Sequence, residues 1–539
     1  MTWTEAVLQR LTSAPAGTEA VGATVMAPSG TSSWRADIPA AIVIFLVAVP
    51  LCLGIALASG APLFSGIISG IVGGVVVGAL SGSQLMVSGP AAGLSAMVMT
   101  AIVTMGSYRA FLATVVVAGL VQVLLAVARA GIVGYYFPSS VIRGMLTAIG
   151  LILILKQIPH ALGYDADFEG DETFVQMNAE NTFSAIVNAL ARIQPAAVIL
   201  SLAGLALLVL WDRGPGRRLR LLPGALVAVL LGIVGQRVLP LFNPALQLGP
   251  EHLVGLPVIR SIADFGAMFA TPDWSALLRV EAWQIGVTLG IVASLETLLT
   301  LEATDKLDRY KREAPTDREL AVQGVGNVIA GLLGGLPVTG VLVRSAANVD
   351  AGAQTKSSAI LHGLLMAVAV FVIPVALNMI PLASLAAVLI YTGFRLAQPQ
   401  LVRHMWSQGR MQFVPFLVTV VAILLTDLLM GIMVGLAVGF LFVLFDQLRY
   451  PCYTVVSGAG SVLKRVRLHE QVTFLNKASL AQFLDSLPAK SRIEVDGRGC
   501  RHIDHDVMEF ISDFRQTAII RQIDFRTVGI ALPPVSPSH

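Results

Sequence analysis

The chain has 539 residues, of which 55% are hydrophobic and 13% charged, with a net charge of +3 and a mean hydropathy of +0.77. A soluble domain carries about 25% charged residues, so this composition excludes an ordinary soluble protein and indicates a membrane protein with many spans. The small, dispersed net charge argues against nucleic acid as a partner. The three cysteines show no paired spacing, so neither a disulfide framework nor a zinc site is expected.

The N-terminal segment is rich in Ala, Gly, Ser and Thr and lacks the charged segment and apolar core of a cleavable signal peptide. We therefore predict a flexible cytoplasmic tail over residues 1–35. A transmembrane domain is expected over residues 36–450, because stretches of about 20 apolar residues cross a bilayer as helices. Fourteen such segments are predicted, at 38–58, 63–81, 86–104, 109–128, 138–157, 195–211, 222–239, 284–303, 320–334, 340–352, 357–378, 381–397, 411–426 and 430–446.

Lysine and arginine in short loops mark the cytoplasmic side of a membrane protein. Three loops are basic, at 211–221, 305–318 and 403–410. With fourteen spans and a cytoplasmic N-terminus, all three loops fall on the cytoplasmic side, and the acidic connection 163–174 falls outside. We expect the inner (plasma) membrane as the location, with both termini cytoplasmic.

The character of the chain changes after residue 450. Residues 461–476, 491–499 and 522–530 have the alternation of strands. Residues 478–487 and 504–518 have helical periodicity. This pattern predicts a small cytoplasmic α/β domain over residues 451–539.

Two features recur in the two halves of the membrane part. Segments 138–150 and 381–393 each open with Pro and end with Gly, and Gly/Pro breaks at 87–93 and 336–342 are separated by a similar length of chain. This predicts two halves of seven spans, and an odd number of spans makes the second half inverted. Interrupted segments at corresponding positions of inverted halves are a pointer to a transporter binding site.

The two breaks predict half-helices that start near Ala91 and Val341. Irregular backbone at membrane depth persists only where it is buried in protein or lines a cavity. The free N–H groups and positive dipole ends of two such helices form an anion site. Arg344, about one turn into the second half-helix, would add positive potential; the alternative is that it reaches an interface or pairs with a carboxylate.

Glu296 lies in mid-span with Thr300 one turn later on the same helical face. An isolated buried carboxylate is costly, and three roles compete: a sodium ligand together with Thr300, a proton carrier, or a partner of Arg344. Gln323 and Asn327, four residues apart on another span, are interpreted as hydrogen-bonding residues that join helices.

Several phrases of the sequence resemble one known family. They are VSGPAAG (87–93), ASLETLLTLEATDKLD (293–308), VQGVGNVIAGLLGG (322–335), PVTGVLVRSAANVDAG (337–352) and IPLASLAAVLIYTG (380–393). From about residue 36 onward the chain resembles the SulP family of anion transporters, also called solute carrier family 26, including a C-terminal STAS domain.

The resemblance implies an all-α membrane domain of fourteen spans in two inverted repeats of seven, divided into core and gate domains. It implies an elevator-like movement of the core and a homodimer. The implied anion lies between Ser88, Gly89, Ala91 and Ala92 on one side and Gly340, Val341 and Leu342 on the other, beside Arg344. Leu51 and Ile55 match positions that wall the family's pocket, and Glu296 and Thr300 match the sodium-binding pair of bicarbonate relatives.

Two departures from the family bear on function. Leu342 stands where sodium-coupled relatives can carry a hydroxyl residue, so the sodium site is incomplete there. Asp506 stands where related signalling domains carry a phosphorylatable Ser or Thr, so no phosphorylation switch is expected at that position.

We expect a secondary active transporter of a small inorganic anion, bicarbonate first and sulfate second, coupled to sodium or protons. The alternatives are a poorly coupled channel or exchanger, a dicarboxylate transporter, and an anion sensor that signals through the STAS domain. The sequence has no nucleophile–base pair, phosphate-binding loop or metal-spaced His cluster. Neither an enzyme nor a cofactor is expected, apart from sodium or a proton as coupling ion.

Overall fold

The chain folds into membrane helices followed by a small α/β region. The structure is a computed structural model that describes residues 33–167, 174–176, 180–213, 223–256, 268–449, 451–456 and 463–531. The predicted tail up to residue 32, most of the basic loop 211–221 and the centre of the acidic connection 163–174 lie outside these residues.

The described chain forms two compact units. One comprises the residues up to Phe137 together with Ile149–Ala397, and the other comprises Pro138–Ala148 together with the chain from Gln398 onward. The helices up to residue 397 are α1 (Trp34–Ala58), α2 (Leu63–Leu80), α3 (Ala92–Met105), α4 (Tyr108–Val127), α5 (Ser139–Leu162), α6 (Thr182–Ala191), α7 (Pro195–Arg213), α8 (Gly224–Phe242), α9 (Val280–Leu307), α10 (Thr316–Leu333), α11 (Leu342–Asp350), α12 (Ser357–Val372), α13 (Pro374–Leu377) and α14 (Leu382–Leu396). Short 3₁₀ turns lie at Ala130–Tyr136, Pro244–Leu246, Pro250–His252 and Trp274–Leu278, and two short strands are β1 (Ser88–Pro90) and β2 (Val338–Gly340).

The first unit contains a bundle in which α4 packs against α9 and α10. Helices α4 and α10 approach closely at two glycines, since a Cβ built on Gly119 or Gly324 would lie 2.6 Å from the carbonyl oxygen of the other. Small residues are the usual means of close helix packing in membranes. Helix α12 packs against α1 and α2 in the same unit, and α7 packs against α8 and α14.

Hydrogen bonds tie together the connections around residues 305–318. Asp308 accepts hydrogen bonds from Nε and Nη2 of Arg312, and Nη1 of Arg312 donates to the carbonyl of Gln354. Asp37, in the first turn of α1, accepts from the backbone N–H groups of Gln354 and Thr355. Burial alone would raise the pKa of Asp308, but the bonds from Arg312 and from the Tyr310 N–H outweigh it and hold this pKa below its usual value.

The second unit continues with α15 (Pro399–Ser407), α16 (Arg410–Leu425) and α17 (Leu428–Arg449). Its α/β region has strands β3 (Tyr453–Val456), β4 (Leu463–Leu468), β5 (Gln471–Val472), β6 (Arg492–Asp496), β7 (His502–Ile503) and β8 (Asp524–Val528), and helices α18 (Lys477–Asp485) and α19 (His505–Ile520). The main sheet has the order β3-β4-β6-β8, with an antiparallel first pair and parallel pairs after it. A core that includes Val466, Ile493 and Phe514 lies between the sheet and the helices, so the predicted α/β region is confirmed.

Each of the fourteen predicted segments contains a helix, whereas α6 and α15 were not predicted. The segment 357–378, predicted as one helix, is divided after Val372. Pro374 begins the short helix α13, because proline has no N–H to continue the preceding one. In the described part of the chain, eight helices are long and apolar enough to cross a bilayer by length and composition. The total of fourteen crossings and the inverted repeat stay predictions.

Candidate functional site

The two broken segments meet in a buried pair of strands. β1 and β2 are antiparallel, with Ser88 opposite Gly340, Gly89 opposite Thr339 and Pro90 opposite Val338. All six residues are buried. Strand pairing satisfies backbone groups that would otherwise lack partners at membrane depth, which explains how irregular backbone is retained here.

A helix leaves each end of this strand pair. Ala91 and Val341 have extended backbones, with φ/ψ of −87°/115° and −106°/109°, and α3 and α11 begin at the next residues, Ala92 and Leu342. Neither helix has a side-chain cap at its start. The first N–H groups of an uncapped helix have no intrahelical partner and carry partial positive charge. Both starts lie within one residue of the predicted positions.

Arg344 is fully buried one turn into α11. Its Nη2 lies 3.2 Å from Sγ of Cys52 on α1. The guanidinium packs against β1, since a Cβ built on Gly89 would lie 2.3 Å from Nη1. Nε and Nη1 have no hydrogen-bond partner, and no carboxylate among the described residues lies within ion-pair distance of Arg344. The surroundings of Arg344 therefore agree neither with an ion pair nor with exposure at a membrane interface, the two alternatives to a role at the anion site.

Helix α9 lies alongside the starts of both half-helices. A Cβ built on Gly93, in the first turn of α3, would lie 3.2 Å from Oε1 of the half-buried Glu296. A Cβ built on Gly340 would lie 3.1 Å from the methyl carbon Cγ2 of Thr300. Thr297, between them, lies 3.5 Å from the N–H of Gly340 through its Oγ1. Helix α9 thus places Glu296 next to the start of α3, and Thr297 and Thr300 next to β2.

Polar side chains of α4 and α10 hold the strand pair in place. Nδ2 of Asn327 donates to Oε1 of Gln122 at 2.6 Å and to the carbonyl of Val338 at 2.8 Å, while its Oδ1 accepts from the Val338 N–H at 2.6 Å. Gln323 donates to Oγ of Ser88 at 2.6 Å. Gln323 and Asn327, predicted to join helices, also position β1 and β2, which was not predicted. Their spacing of four on a span was the available signal.

The segment before β1 is fixed by α11. Oγ of Ser345 accepts from the Val87 N–H at 3.0 Å, and Nδ2 of Asn348 donates to the Leu85 carbonyl at 2.8 Å. Ser345 follows Arg344 directly, so these contacts also fix the turn of α11 that carries the arginine.

The two α1 residues singled out in the sequence have different surroundings. Ile55 belongs to an apolar cluster with Ala91, Ala92 and Leu94 at the start of α3. Leu51 is buried next to Cys52, which contacts Arg344. Ile55 therefore packs against the start of the first half-helix.

One further buried residue of the first unit was not singled out by the sequence. His362 on α12 is fully buried, and neither ring nitrogen has a hydrogen-bond partner among the described residues. A single histidine in an apolar helix has no spacing that marks it, so only its surroundings in the folded chain draw attention to it.

A profile of the sulfate permease family matches residues 34–419. The chain belongs to the sulfate permease family. It is 26% identical over 409 residues to YvdB of Bacillus subtilis, covering 76% of this chain and 73% of YvdB. It is 25% identical over 370 residues to the bicarbonate transporter BicA of Picosynechococcus, covering 67% of this chain and 61% of BicA.

Solved structures of the family share the fold. The match to the structure of SLC26A9 covers 94% of this chain and 86% of the SLC26A9 chain, with a TM-score of 0.65 at 16% identity. The transmembrane domain of a cyanobacterial BicA matches 75% of this chain and 98% of its own, with a TM-score of 0.53 at 21% identity. The chain is thus a multi-pass anion transporter of the sulfate permease family. This family consists of transporters, which confirms the prediction that the chain is not an enzyme.

Proposed function

We propose that this chain is a secondary active transporter that carries bicarbonate, or sulfate as the second choice, through the site between α3 and α11. The observation that supports this most is the fully buried Arg344, without an ion pair among the described residues, beside two uncapped helix starts. A buried cation without a counter-charge is costly, and an anion bound at the helix starts would offset that cost. Both named anions are small and accept hydrogen bonds from backbone N–H groups.

The proposed coupling ion is sodium or a proton, held at Glu296 and Thr300. The carboxylate faces the start of α3, and Thr300 faces β2. Leu342 supplies no hydroxyl, but the fully buried Thr339 beside Gly340 has an Oγ1 that no described residue hydrogen-bonds. Hard cations prefer oxygen ligands. The hydroxyls of Thr297 and Thr339 are therefore candidates to replace the oxygen ligand that Leu342 cannot supply to a sodium ion.

The proposed movement is elevator-like. The site residues come from α1, β1, α3, α9, β2 and α11, which belong to one compact unit. The strands β1 and β2 are hydrogen-bonded to each other and to Gln323 and Asn327 of α10. Because of these bonds, the elements of the site are suited to move together with a bound anion. We further propose a homodimer in the inner (plasma) membrane with cytoplasmic termini, and a STAS domain formed by the C-terminal α/β region.

Uptake into proteoliposomes tests this function. Labelled bicarbonate and labelled sulfate are supplied separately, with an inward sodium gradient, an inward proton gradient, or neither. We expect bicarbonate uptake that increases several-fold with one of the two gradients. Uptake that follows the anion gradient alone would favour the channel or exchanger.

The same assay separates the remaining candidates. Flux of a labelled dicarboxylate, with none of bicarbonate or sulfate, would replace the proposed substrate class. Anion binding to the purified protein without any flux would favour the sensor. The homodimer is checked by the mass of the detergent-solubilised protein, and a monomer would contradict that part of the proposal.

A further inference from the structure

His362 is a fully buried histidine whose Nδ1 and Nε2 have no hydrogen-bond partner in the described part of the chain. Buried polar groups in proteins are nearly always hydrogen-bonded, and an unsatisfied one costs about 1–3 kcal/mol. Such a residue in a membrane helix is expected to have a functional reason. Imidazole is the side chain whose charge changes most readily near neutral pH.

The position of His362 in the bundle relates it to the candidate site. It lies on α12, which packs against α1 and α2. Met366, one turn later on the same face of α12, and Cys52 of α1 meet at Gly70 of α2. A Cβ built on Gly70 would lie 2.7 Å from Sδ of Met366 and 2.8 Å from Sγ of Cys52. Cys52 in turn contacts Arg344 at 3.2 Å, so this face of α12 leads to the guanidinium.

Arg344 is the cation to which these contacts lead, and its own Nε and Nη1 have no hydrogen-bond partner among the described residues. The elements packed against α12 offer few other titratable groups: α1 carries Arg35, Asp37 and Cys52, and neither α2 nor α13 carries any. Asp37 is bound to Thr355, two turns before His362. No carboxylate among the described residues is therefore placed to neutralise a charged His362.

We propose that His362 takes up a proton when the anion binds and releases it when the anion leaves. This inference rests on the proposed anion site. In the empty site the burial of His362 and the positive charge of Arg344 both disfavour a charged imidazole. A bound anion offsets the charge of Arg344, and the imidazole can then accept a proton from water.

Linkage makes the effect reciprocal, because an anion that raises the proton affinity of His362 is itself bound more tightly when His362 is protonated. The proton and the anion then travel together, and part of the anion's charge is compensated during transport. This proton is distinct from any that Glu296 carries, because the two residues lie on different helices. Both routes can operate in one cycle.

The test measures the KM of uptake between pH 6 and 8, with whichever of bicarbonate and sulfate is transported. The wild type, His362→Gln and the matched control Met366→Leu are compared at each pH, so that the change in bicarbonate concentration with pH cancels. We expect the KM of the wild type to rise about fivefold or more with pH relative to His362→Gln, at the low end of typical couplings between two sites. Met366→Leu should keep the wild-type profile.

An unchanged pH profile in a transporting His362→Gln variant would overturn the inference and leave the proposed function standing. Absence of uptake in the wild type would overturn both. If His362→Gln does not fold, proton uptake on anion binding is measured with a pH indicator in weakly buffered wild type and in Glu296→Gln. Proton uptake that persists in Glu296→Gln supports His362. Its absence in the wild type, or its loss in Glu296→Gln, overturns the assignment.

Discussion

At the scale of single residues, the surroundings of Arg344 depart from ordinary packing. It is fully buried, contacts a thiol and has two unpartnered nitrogens. Replacement of an unpaired buried charge by a neutral side chain of similar size usually stabilises the folded protein. Loss of the Arg344 charge should therefore lower the affinity for the anion while leaving the anion-free protein equally stable or more stable.

Arg344→Met tests this opposition, because methionine is neutral and fills much of the same space. We expect the apparent anion affinity to fall by about 10- to 150-fold, which corresponds to the roughly 1.5–3 kcal/mol of a hydrogen bond to a charged group. The melting temperature of the anion-free protein should stay equal or rise. Arg344→Lys, which keeps the charge, should retain part of the affinity. An affinity equal to that of the wild type in Arg344→Met would assign the arginine a structural role.

Glu296→Gln tests the coupling ion at the same scale. The amide keeps the size of the side chain beside Gly93 and removes its charge, so ion-driven uptake should be lost while the protein stays folded. Glu302→Gln is the matched control, because Glu302 lies on the same helix but pairs with Lys306 at 3.2 Å. The comparison is made by uptake with and without the driving gradient. Normal coupled uptake in Glu296→Gln would contradict the assignment.

At the scale of elements, α2 determines how closely β1 can lie to the bundle. The residues Val72–Val77 form a π-helical turn within α2, a feature often found at functional sites. Gly73 in this turn meets β1 directly, since a Cβ built there would lie 2.4 Å from the carbonyl oxygen of Ser88. A side chain at Gly73 must therefore displace the strand that carries Ser88 and Gly89.

Gly73→Ala is expected to reduce transport at least about tenfold, because small displacements of a positioned site can cost up to about 100-fold. Gly78→Ala on the same helix is the matched control, since the nearest atom to its Cβ would be 3.5 Å away, an ordinary contact. Transport and melting temperature are measured for both variants. Equal activity of the two would show that β1 tolerates displacement.

A second element-scale feature joins two connections of the first unit. Oδ1 and Oδ2 of Asp165 lie 2.5 Å from Nδ1 of His160 and of His252, respectively. The hydrogen bond to Asp165 raises the pKa of His252 above 6.5. Burial alone would raise the pKa of Asp165, but the hydrogen bonds with the two histidines outweigh it and hold this pKa below 3.8.

These shifts predict a pH window for the stabilisation. A raised pKa makes the contribution of His252 complete below about pH 6.5 and removes it as the pH rises through the raised value. A lowered pKa makes the contribution of Asp165 present above about pH 3.8 and removes it as the pH falls through the lowered value. The difference in melting temperature between the wild type and His252→Gln should therefore be largest between these limits and decline in alkaline solution. The exposed His404→Gln is the control, and a difference that does not vary with pH would contradict the prediction.

At the scale of the whole molecule, the candidate anion site and the α/β region belong to different compact units. Every site residue lies in the first compact unit, whereas the α/β core is built from residues 452–530 and belongs to the second unit. Within the second unit, α17 packs against α18. Deletion of the α/β region would expose that part of α17 without removing any residue of the anion site.

Deletion of residues 451–539 should therefore leave the choice of anion unchanged and lower the melting temperature or the yield. The ratio of bicarbonate to sulfate uptake checks the first expectation, and thermal unfolding of the purified protein checks the second. The full-length chain is the reference for both. A changed anion preference in the truncated protein would show that the two regions act together.

The sequence by itself determined the long apolar helices and where the two half-helices start, but not the helices α6 and α15. Long apolar runs and Gly/Pro breaks are local signals, and local signals locate Ala92 and Leu342 within one residue. Only the tertiary structure decided that β1 and β2 pair, that Asn327 clamps them, and that Arg344 has Cys52 as its neighbour. These contacts join residues more than 200 positions apart or depend on which way a buried side chain points. His362 shows the same limit, because its lack of partners is a property of the packed bundle and not of its place in the chain.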